Sequence, residues 1–327
     1  MHFSDPASER QATADKLIIS DLSHYGLIVA EGEEAESFLQ NQFSNDVRQV
    51  TGTHSQLNAY CSPKGRMLAG FQLFLREGKY CLRMPRSILA PTLKRLRMFI
   101  LRTQVTLEDG SDRWVRFGIA GADAAQVLQD VIDTIPTDTN ATVQAGGVTV
   151  IRLPGPTPRF ELHADFAAAS ALWKRLARQA TPVGRNSWHW LNIQAGIPDI
   201  SPETVEAFVP QMVNFSALDA INFKKGCYPG QEVVARMHYL GKLKRRMYLA
   251  HTEQEHPPSP GDAVFGAQPD EQSVGKVVLA QHAPQGGSDL LVVLQISAAE
   301  NSPLHLVQHD GPALLLRDLP YTVTNEA

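Results

Sequence analysis

Apolar positions recur along the chain with two periods. Short alternating or continuous runs at 17–19, 27–29, 54–61, 66–76 and 79–84 predict β-strands, with turns at Pro63-Lys64-Gly65 and Glu77-Gly78-Lys79. Ala35, Phe38, Leu39 and Phe43 fall near helical spacing after Gly32. Ile88, Leu89, Leu93, Leu96 and Ile100 mark a second helix, whose other positions include Arg86, Lys94, Arg95 and Arg97. The pattern then repeats in kind, with strands at 114–119, 148–153 and 159–163 and helices at 122–132 and 167–179. Helices and strands mix without regular βαβ alternation, which predicts an α+β fold rather than a doubly wound sheet. After about residue 243 the texture changes. β-like runs at 247–250, 274–280 and 290–296 are divided by Pro/Gly segments, which predicts a small antiparallel barrel or sandwich. Three pieces follow: a mobile N-terminal tail over 1–15, an α+β region over 16–242 and a β-barrel over 243–327.

Composition sharpens this picture. The 327 residues suit two domains or three small ones, and 43% hydrophobic with 20% charged residues is the balance of a packed globular protein. Thirty Lys+Arg against 34 Asp+Glu give a net charge of −4, which argues against a binder of nucleic acid or membrane over its whole surface. A local basic face is still allowed. Arg236, His238, Lys242, Lys244, Arg245 and Arg246 crowd one stretch, either as a tRNA or partner surface or as a solvated edge leading into the barrel. Cys61, Cys81 and Cys227 are too few for a disulfide framework. No Cys-x-x-Cys pair and no His spacing suggests a metal, so none is expected. No window approaches the roughly 18 apolar residues of a membrane span. The polar N-terminal segment carries no leader pattern, so a cytoplasmic protein is expected.

The densest chemistry lies at 222–236, where Gly226, Pro229 and Gly230 surround Cys227 just ahead of a helix-like run from Gln231. Lys224 and Lys225 precede the thiol, and a helix N-terminus behind it would add positive potential; both favour thiolate. The competing reading is a small buried cysteine in a tight turn.

Lys225-Gly226-Cys227-Tyr228-Pro229-Gly230-Gln231-Glu232 resembles the K-G-C-Y-x-G-Q-E signature of the YgfZ-type folate-binding proteins, relatives of the glycine-cleavage T-protein. The block at 38–47, the turn at 60–67, Gly196-Ile197-Pro198 and Phe208-Val209-Pro210-Gln211 are similar to other family blocks, so the resemblance covers roughly residues 20–325. It implies two interwoven α+β lobes plus the barrel. It also implies binding of a reduced folate, tetrahydrofolate or a derivative, in support of iron–sulfur cluster assembly or repair and, through iron–sulfur enzymes or cluster carriers, tRNA thiomodification. Tyr25 and Trp188 match the family's two aromatic folate positions; Tyr25 replaces the Trp of many relatives. Each also has a plain reading, Tyr25 as a strand residue and Trp188 as a helix-core residue, as does Trp190. Arg185 is a candidate cation for the folate tail or an ordinary surface arginine. Asn45 and Asp46 are candidates for a pterin edge, with turn capping the favoured reading, and Glu232 is either a ligand contact or a first-turn acid. The strand at 66–74 holds no carboxylate, where the aminomethyltransferases carry an Asp. That points to a binding or accessory role. The alternatives are a one-carbon transferase or demethylase using Cys227, and an RNA-binding factor working through the basic stretch.

Overall fold

The computed structural model describes residues 3–239, 241–266 and 272–323. Met1 and His2 of the expected tail and 324–327 of the expected barrel region lie outside the described residues. The chain opens with α1 (Pro6–Asp15), β1 (Ile18–Asp21), β2 (Tyr25–Glu31) and α2 (Ala35–Gln40). Next come β3 (Gln56–Cys61), β4 (Met67–Arg76), β5 (Lys79–Pro85), α3 (Arg86–Arg97) and β6 (Thr106–Asp109). The middle holds β7 (Val115–Ala120), α4 (Ala124–Gln129), β8 (Thr142–Ala145), β9 (Val148–Leu153), β10 (Arg159–Ala164), α5 (Phe166–Leu176), β11 (Thr181–Val183), α6 (Arg185–Gln194) and α7 (Gln231–Tyr239). The last part is β12 (Arg245–Thr252), β13 (Ala263–Phe265), β14 (Gly275–His282), β15 (Ser288–Gln295), α8 (Ile296–Asn301), β16 (Leu304–Leu306) and β17 (Ala313–Arg317).

These strands make two open sheets and a barrel. One sheet runs β11-β1-β7-β10-β9-β8 and the other β3-β4-β5-β2-β6. β1 and β2 are adjacent in sequence yet belong to different sheets, so the two lobes interweave as the resemblance implies. The barrel closes in the order β12-β15-β14-β13-β16-β17, with β12 pairing to β17. Here the alternating runs after residue 243 form antiparallel strands that leave no open edge.

The expected mobile tail is corrected over residues 6–15, which form α1. Asp5 caps the helix by accepting from the Ser8 backbone N–H. Its docking is polar: the buried Glu9 carboxylate accepts from the Gly184 backbone N–H at 2.9 Å, and Thr13 Oγ1 donates to Ser187 Oγ at 2.7 Å. Such a helix shows no apolar stripe in sequence, so periodicity passes over it.

Side-chain alternation fixes where polar residues go. On β10, Phe160, Leu162 and Ala164 pack into a core with Phe117 and Ile119 of β7, Val127 and Leu128 of α4, and Leu172 and Leu176 of α5. On β5, Tyr80, Leu82 and Met84 enter a separate core with Phe43, Phe71 and Phe215. The opposite faces of the two sheets look toward each other. Those faces carry Tyr25, Arg76, Arg83, Arg116, Arg159, Glu161 and His163, all buried. Arg76 spans from β4 to the other sheet, donating to Thr149 Oγ1 at 2.8 Å, the His163 carbonyl at 3.0 Å and the Gly147 carbonyl at 2.7 Å.

Candidate functional site

The layer between the sheets concentrates charge away from water. Glu161 Oε2 lies 3.2 Å from Arg83 Nε, and Oε1 lies 2.9 Å from His163 Nε2, both at ion-pair distance. Neither carboxylate oxygen has a donor in hydrogen-bond alignment. Burial alone would raise the Glu161 pKa, but Arg83, with His163 and Arg116, overrides it and holds the carboxyl at about 2. Burial likewise pushes the His163 imidazole below its ordinary value, against the pull of Glu161.

Tyr25 and Trp188 both lie in this layer and are fully buried. The Tyr25 hydroxyl donates to Asp199 Oδ2 at 2.6 Å and accepts from Asn192 Nδ2 at 2.7 Å. The Arg83 guanidinium sits 4.2 Å over the Tyr25 ring, a cation–π contact in a dry setting. Burial, then Asp199, raises the tyrosine's pKa well above its ordinary value. Asn192 Oδ1 accepts from Arg159 Nη1 at 2.7 Å, and that guanidinium lies 5.8 Å from the Trp188 ring. One chain of contacts therefore joins the two aromatics. Trp188 packs against the bare backbone of Gly118 on β7, where a Cβ would overlap the indole. Any side chain at 118 would displace the ring. The Trp188 reading as a helix-core residue thus describes its packing, and the layer is what it packs into.

A buried polar atom without a partner is rare and calls for an explanation. Here several gather: Arg159 Nη2, His163 Nδ1, Trp188 Nε1, Arg116 Nε and both ring nitrogens of His24. His24 meets His189 edge-on at 4.7 Å. Burial first, and the neighbouring His189, Arg83, Arg185 and Arg116 after it, lower the His24 pKa to about 2. Arg185 itself is exposed in the first turn of α6.

The signature residues form a different place. Lys225 is buried, and its ammonium donates to the carbonyls of Gln40 (2.7 Å), Phe43 (2.5 Å) and Asn45 (2.9 Å). Burial lowers its pKa to about 8, with Asp46 pulling the other way. Its charge is committed to that N-terminal loop, which removes one of the two cations expected to act on Cys227. Gly230 adopts φ +82°, and a Cβ would come within 2.5 Å of the Ser62 carbonyl and 2.7 Å of Gly65. The two glycine turns thus touch backbone to backbone. Gln231 Nε2 donates to the carbonyls of Lys225 and Gly226, closing the loop. Tyr228 is buried beneath it, while Cys227 is exposed, as are Gly226 and Glu232. The competing reading of Cys227 as a buried turn residue is therefore wrong. α7 begins only at Gln231, four residues downstream. No hydrogen bond, ion pair or ring contact joins residues 225–232 to Tyr25 or Trp188 among the described residues.

Asn45 and Asp46 are turn residues. Asn45 Nδ2 donates to the Leu57 and Asp219 carbonyls, and Asp46 caps a short turn at 47–49 and pairs with Arg48 at 2.7 Å. Trp190, read as core, is half-buried and packs against the core that holds Tyr25 and Trp188, and it also reaches the barrel, donating from Nε1 to Asp289 Oδ2 at 2.9 Å. Beside it, two cavities of about 220 and 460 Å³ open where α6 meets the barrel. Sequence reading passed over Glu161, Arg83, Arg159, Asn192 and Asp199. The available signal was the strand Arg159-Phe160-Glu161-Leu162-His163-Ala164, where charge alternates with apolar residues and every position is buried.

Comparison with known proteins covers nearly the whole chain. The GCVT N-terminal domain family matches residues 2–225. The chain is 29% identical over 306 residues to the tRNA-modifying protein YgfZ of Colwellia psychrerythraea strain 34H, covering 94% of each chain. It is 30% identical over 321 residues to the protein of the same name from Escherichia coli O157:H7 strain EC4115, covering 97% of this chain and 98% of that one. Among solved structures, the glycine cleavage system aminomethyltransferase T from Bartonella henselae superposes with a TM-score of 0.72 at 18% identity, over 96% of this chain and 88% of that one.

Proposed function

The chain belongs to the GCVT N-terminal domain family and, within it, to the YgfZ-type proteins, and from that premise we propose that it is a folate-binding accessory factor. It supports tRNA modification by way of iron–sulfur cluster assembly or repair, and it is not an aminomethyltransferase. The observation that carries the folate reading is the set of partnerless polar atoms in the inter-sheet layer. A pterin is flat and offers a row of ring and amino N–H donors beside acceptor nitrogens. Glu161 supplies a carboxylate that sits at ion-pair distance from Arg83 and His163 without a donor in hydrogen-bond alignment, and Trp188 Nε1, Arg159 Nη2 and His163 Nδ1 supply open polar positions. Tyr25 and Trp188 supply aromatic surface. These residues fit a reduced folate, which, when bound, carries one-carbon units for other enzymes.

In this reading Arg83 keeps Glu161 ionised so that it accepts rather than donates. Asp199 and Asn192 fix the Tyr25 hydroxyl and so the plane of its ring. β4 carries no Asp or Glu from Met67 to Arg76, the strand in which the resemblance implies an Asp for the aminomethyltransferases, and this supports a binding role. The three cysteines are all free, in keeping with a reducing, cytoplasmic setting. The rival reading, a transferase or demethylase with Cys227 as nucleophile, has the exposed thiol in its favour but lacks any contact from its loop to the aromatic pair.

Isothermal calorimetry with tetrahydrofolate tests the proposal. Saturable binding with quenching of tryptophan fluorescence is expected, and no heat with any reduced folate overturns it. Incubation with an aminomethyl-loaded lipoyl carrier protein and tetrahydrofolate should release no ammonia above the blank; enzyme-dependent release would return the chain to the transferases.

A further inference from the structure

A second group of aromatic and basic side chains lies on α7 and the loop before it, close in sequence to the exposed thiol. Phe223 and His238 stack at 3.7 Å with their planes 9° apart, and Tyr239 meets both rings edge-on, at 6.2 and 4.7 Å. Tyr239 is 62% exposed at the end of α7. The charge around the stack is one-sided. Residues 222–246 contain seven Lys or Arg and a single acid, Glu232, on a chain whose net charge is −4. Lys225 is buried, but Lys224, Arg236, Lys242 and Lys244 are exposed. Cys227 is four residues from Phe223, so it stays within about 14 Å of the stack however the loop runs.

We infer that this face binds single-stranded RNA, with Tyr239 and the Phe223–His238 pair stacking on bases and Lys224, Arg236, Lys242 and Lys244 following the phosphates. Cations alone fit any polyanion. The exposed Tyr239 ring, beside the half-buried Phe223–His238 stack and interleaved with these cations, favours an unpaired nucleic-acid strand, because every base offers a flat face and an acidic protein segment does not. The inference rests on the tRNA-modification reading only for the choice of RNA over DNA. It is independent of the folate site.

The test uses the full chain and a fluorescein-labelled 12-nucleotide single-stranded RNA, read by anisotropy across a salt series. Binding is expected, with affinity falling linearly in log salt. Tyr239→Ala should weaken binding at least about five-fold. The pair Lys242→Ala and Lys244→Ala should lower the salt slope by about 1.4, the change that follows when two phosphates of a single strand are no longer neutralised. Phe223→Leu keeps apolar packing and loses the stack, so it should act like Tyr239→Ala. Tetrahydrofolate affinity in each variant should match the parent. Four results overturn the inference: no RNA binding at about 50 mM salt, where phosphate contacts bind more tightly than at physiological salt; RNA affinity unchanged by Tyr239→Ala; equal loss of RNA and folate binding; or a poly-glutamate peptide bound as tightly as RNA, which would make this a face for acidic proteins.

Discussion

Two buried polar clusters lie on opposite faces of α6, and they are built by opposite rules. Toward the barrel, Asp289 is a saturated hub. Its Oδ2 accepts from Trp190 Nε1 and Gln194 Nε2, both at 2.9 Å. Its Oδ1 faces His251 Nδ1 at 2.7 Å and accepts from Arg317 Nη1 at 3.1 Å. Toward the lobes, Trp188 and Asn192 enter the layer where Glu161, His163, Arg159 and His24 keep polar atoms without partners. Trp188 and Asn192 are one helical turn apart, and Trp190 and Gln194 repeat that spacing two residues on, about 200° around the helix. The same helix therefore clamps the barrel with one face and furnishes the candidate ligand layer with the other. A network with every acceptor filled holds structure together. One with open atoms is costly in the free protein and gains from a ligand that fills them.

That contrast predicts mutations of opposite character. The largest effect on stability belongs to Asp289→Ala, which strands four donors from β12, β17 and α6. A loss of about 3–5 kcal/mol is expected, read as a lowered melting temperature. Folate affinity of the protein that remains folded should change little. An unchanged melting curve would mean that the hub is not a clamp.

Glu161→Gln should show a different signature. Tetrahydrofolate affinity falls at least about ten-fold, because a hydrogen bond to a charged group is removed, and melting falls as well, because Arg83 is left buried without its carboxylate. The pH dependence adds a second readout. A carboxyl held at about 2 when folded, against 4.5 ordinarily, contributes stability that is complete above 4.5 and lost as pH falls toward 2. The parent should lose stability across that window more steeply than the Gln variant. Parallel curves would show that Arg83 does not act on Glu161 as its position requires. A smaller effect is expected from Tyr25→Phe, which leaves Asp199 and Asn192 without the hydroxyl between them. It should cost about 1–3 kcal/mol, checked by urea denaturation. Tyr25→Ala with Trp188→Ala is a poorer probe of binding, since removing the buried indole beside Gly118 would itself cost about 3–5 kcal/mol.

Much of the fold is legible in the sequence, and the gaps have physical causes. The strands at 148–153 and 159–163 follow from their apolar alternation almost residue for residue. What the alternation does not reveal is the destination of the other face. Arg159, Glu161 and His163 look like solvent-facing residues of a half-exposed strand, yet a second sheet covers them. The missed strands β6, β8, β11, β13, β16 and β17 have three to five residues each, too few for a period to register. α1 escapes periodicity because Glu9 and Thr13 dock it through hydrogen bonds. Tyr25 and Trp188 came from resemblance, and no periodicity would have singled them out from other buried rings. Asp289 left a faint trace, a lone acid near the start of Ser288-Asp289-Leu290-Leu291-Val292-Val293-Leu294.

The smallest effect on stability, and the sharpest test of function, concerns Cys227. The expectation of an activated thiol stood on two lysines and a helix start. Lys225 has turned to three carbonyls, leaving exposed Lys224 as the nearby cation in sequence, and the helix opens four residues on. The case for function now stands on exposure and on the construction of the loop. Gly230, Gly65, Gln231 and Lys225 all hold the backbone, yet the cysteine that the loop carries is exposed. Cys61 and Cys81 are the contrast: both are buried, and burial pushes their thiols up to about 12. In the folded protein a mild alkylating agent should therefore label Cys227 alone. Cys227→Ser should shift stability by no more than about 0.5 kcal/mol, as for other exposed substitutions. It should leave tetrahydrofolate binding intact, because among the described residues no hydrogen bond, ion pair or ring contact joins its loop to Tyr25 or Trp188. If the thiol works, the same variant should fail to restore iron–sulfur enzyme activity in cells lacking the protein. Full restoration by a stable, folate-binding Ser variant would reduce Cys227 to a surface residue and leave its loop as a brace for the two glycine turns.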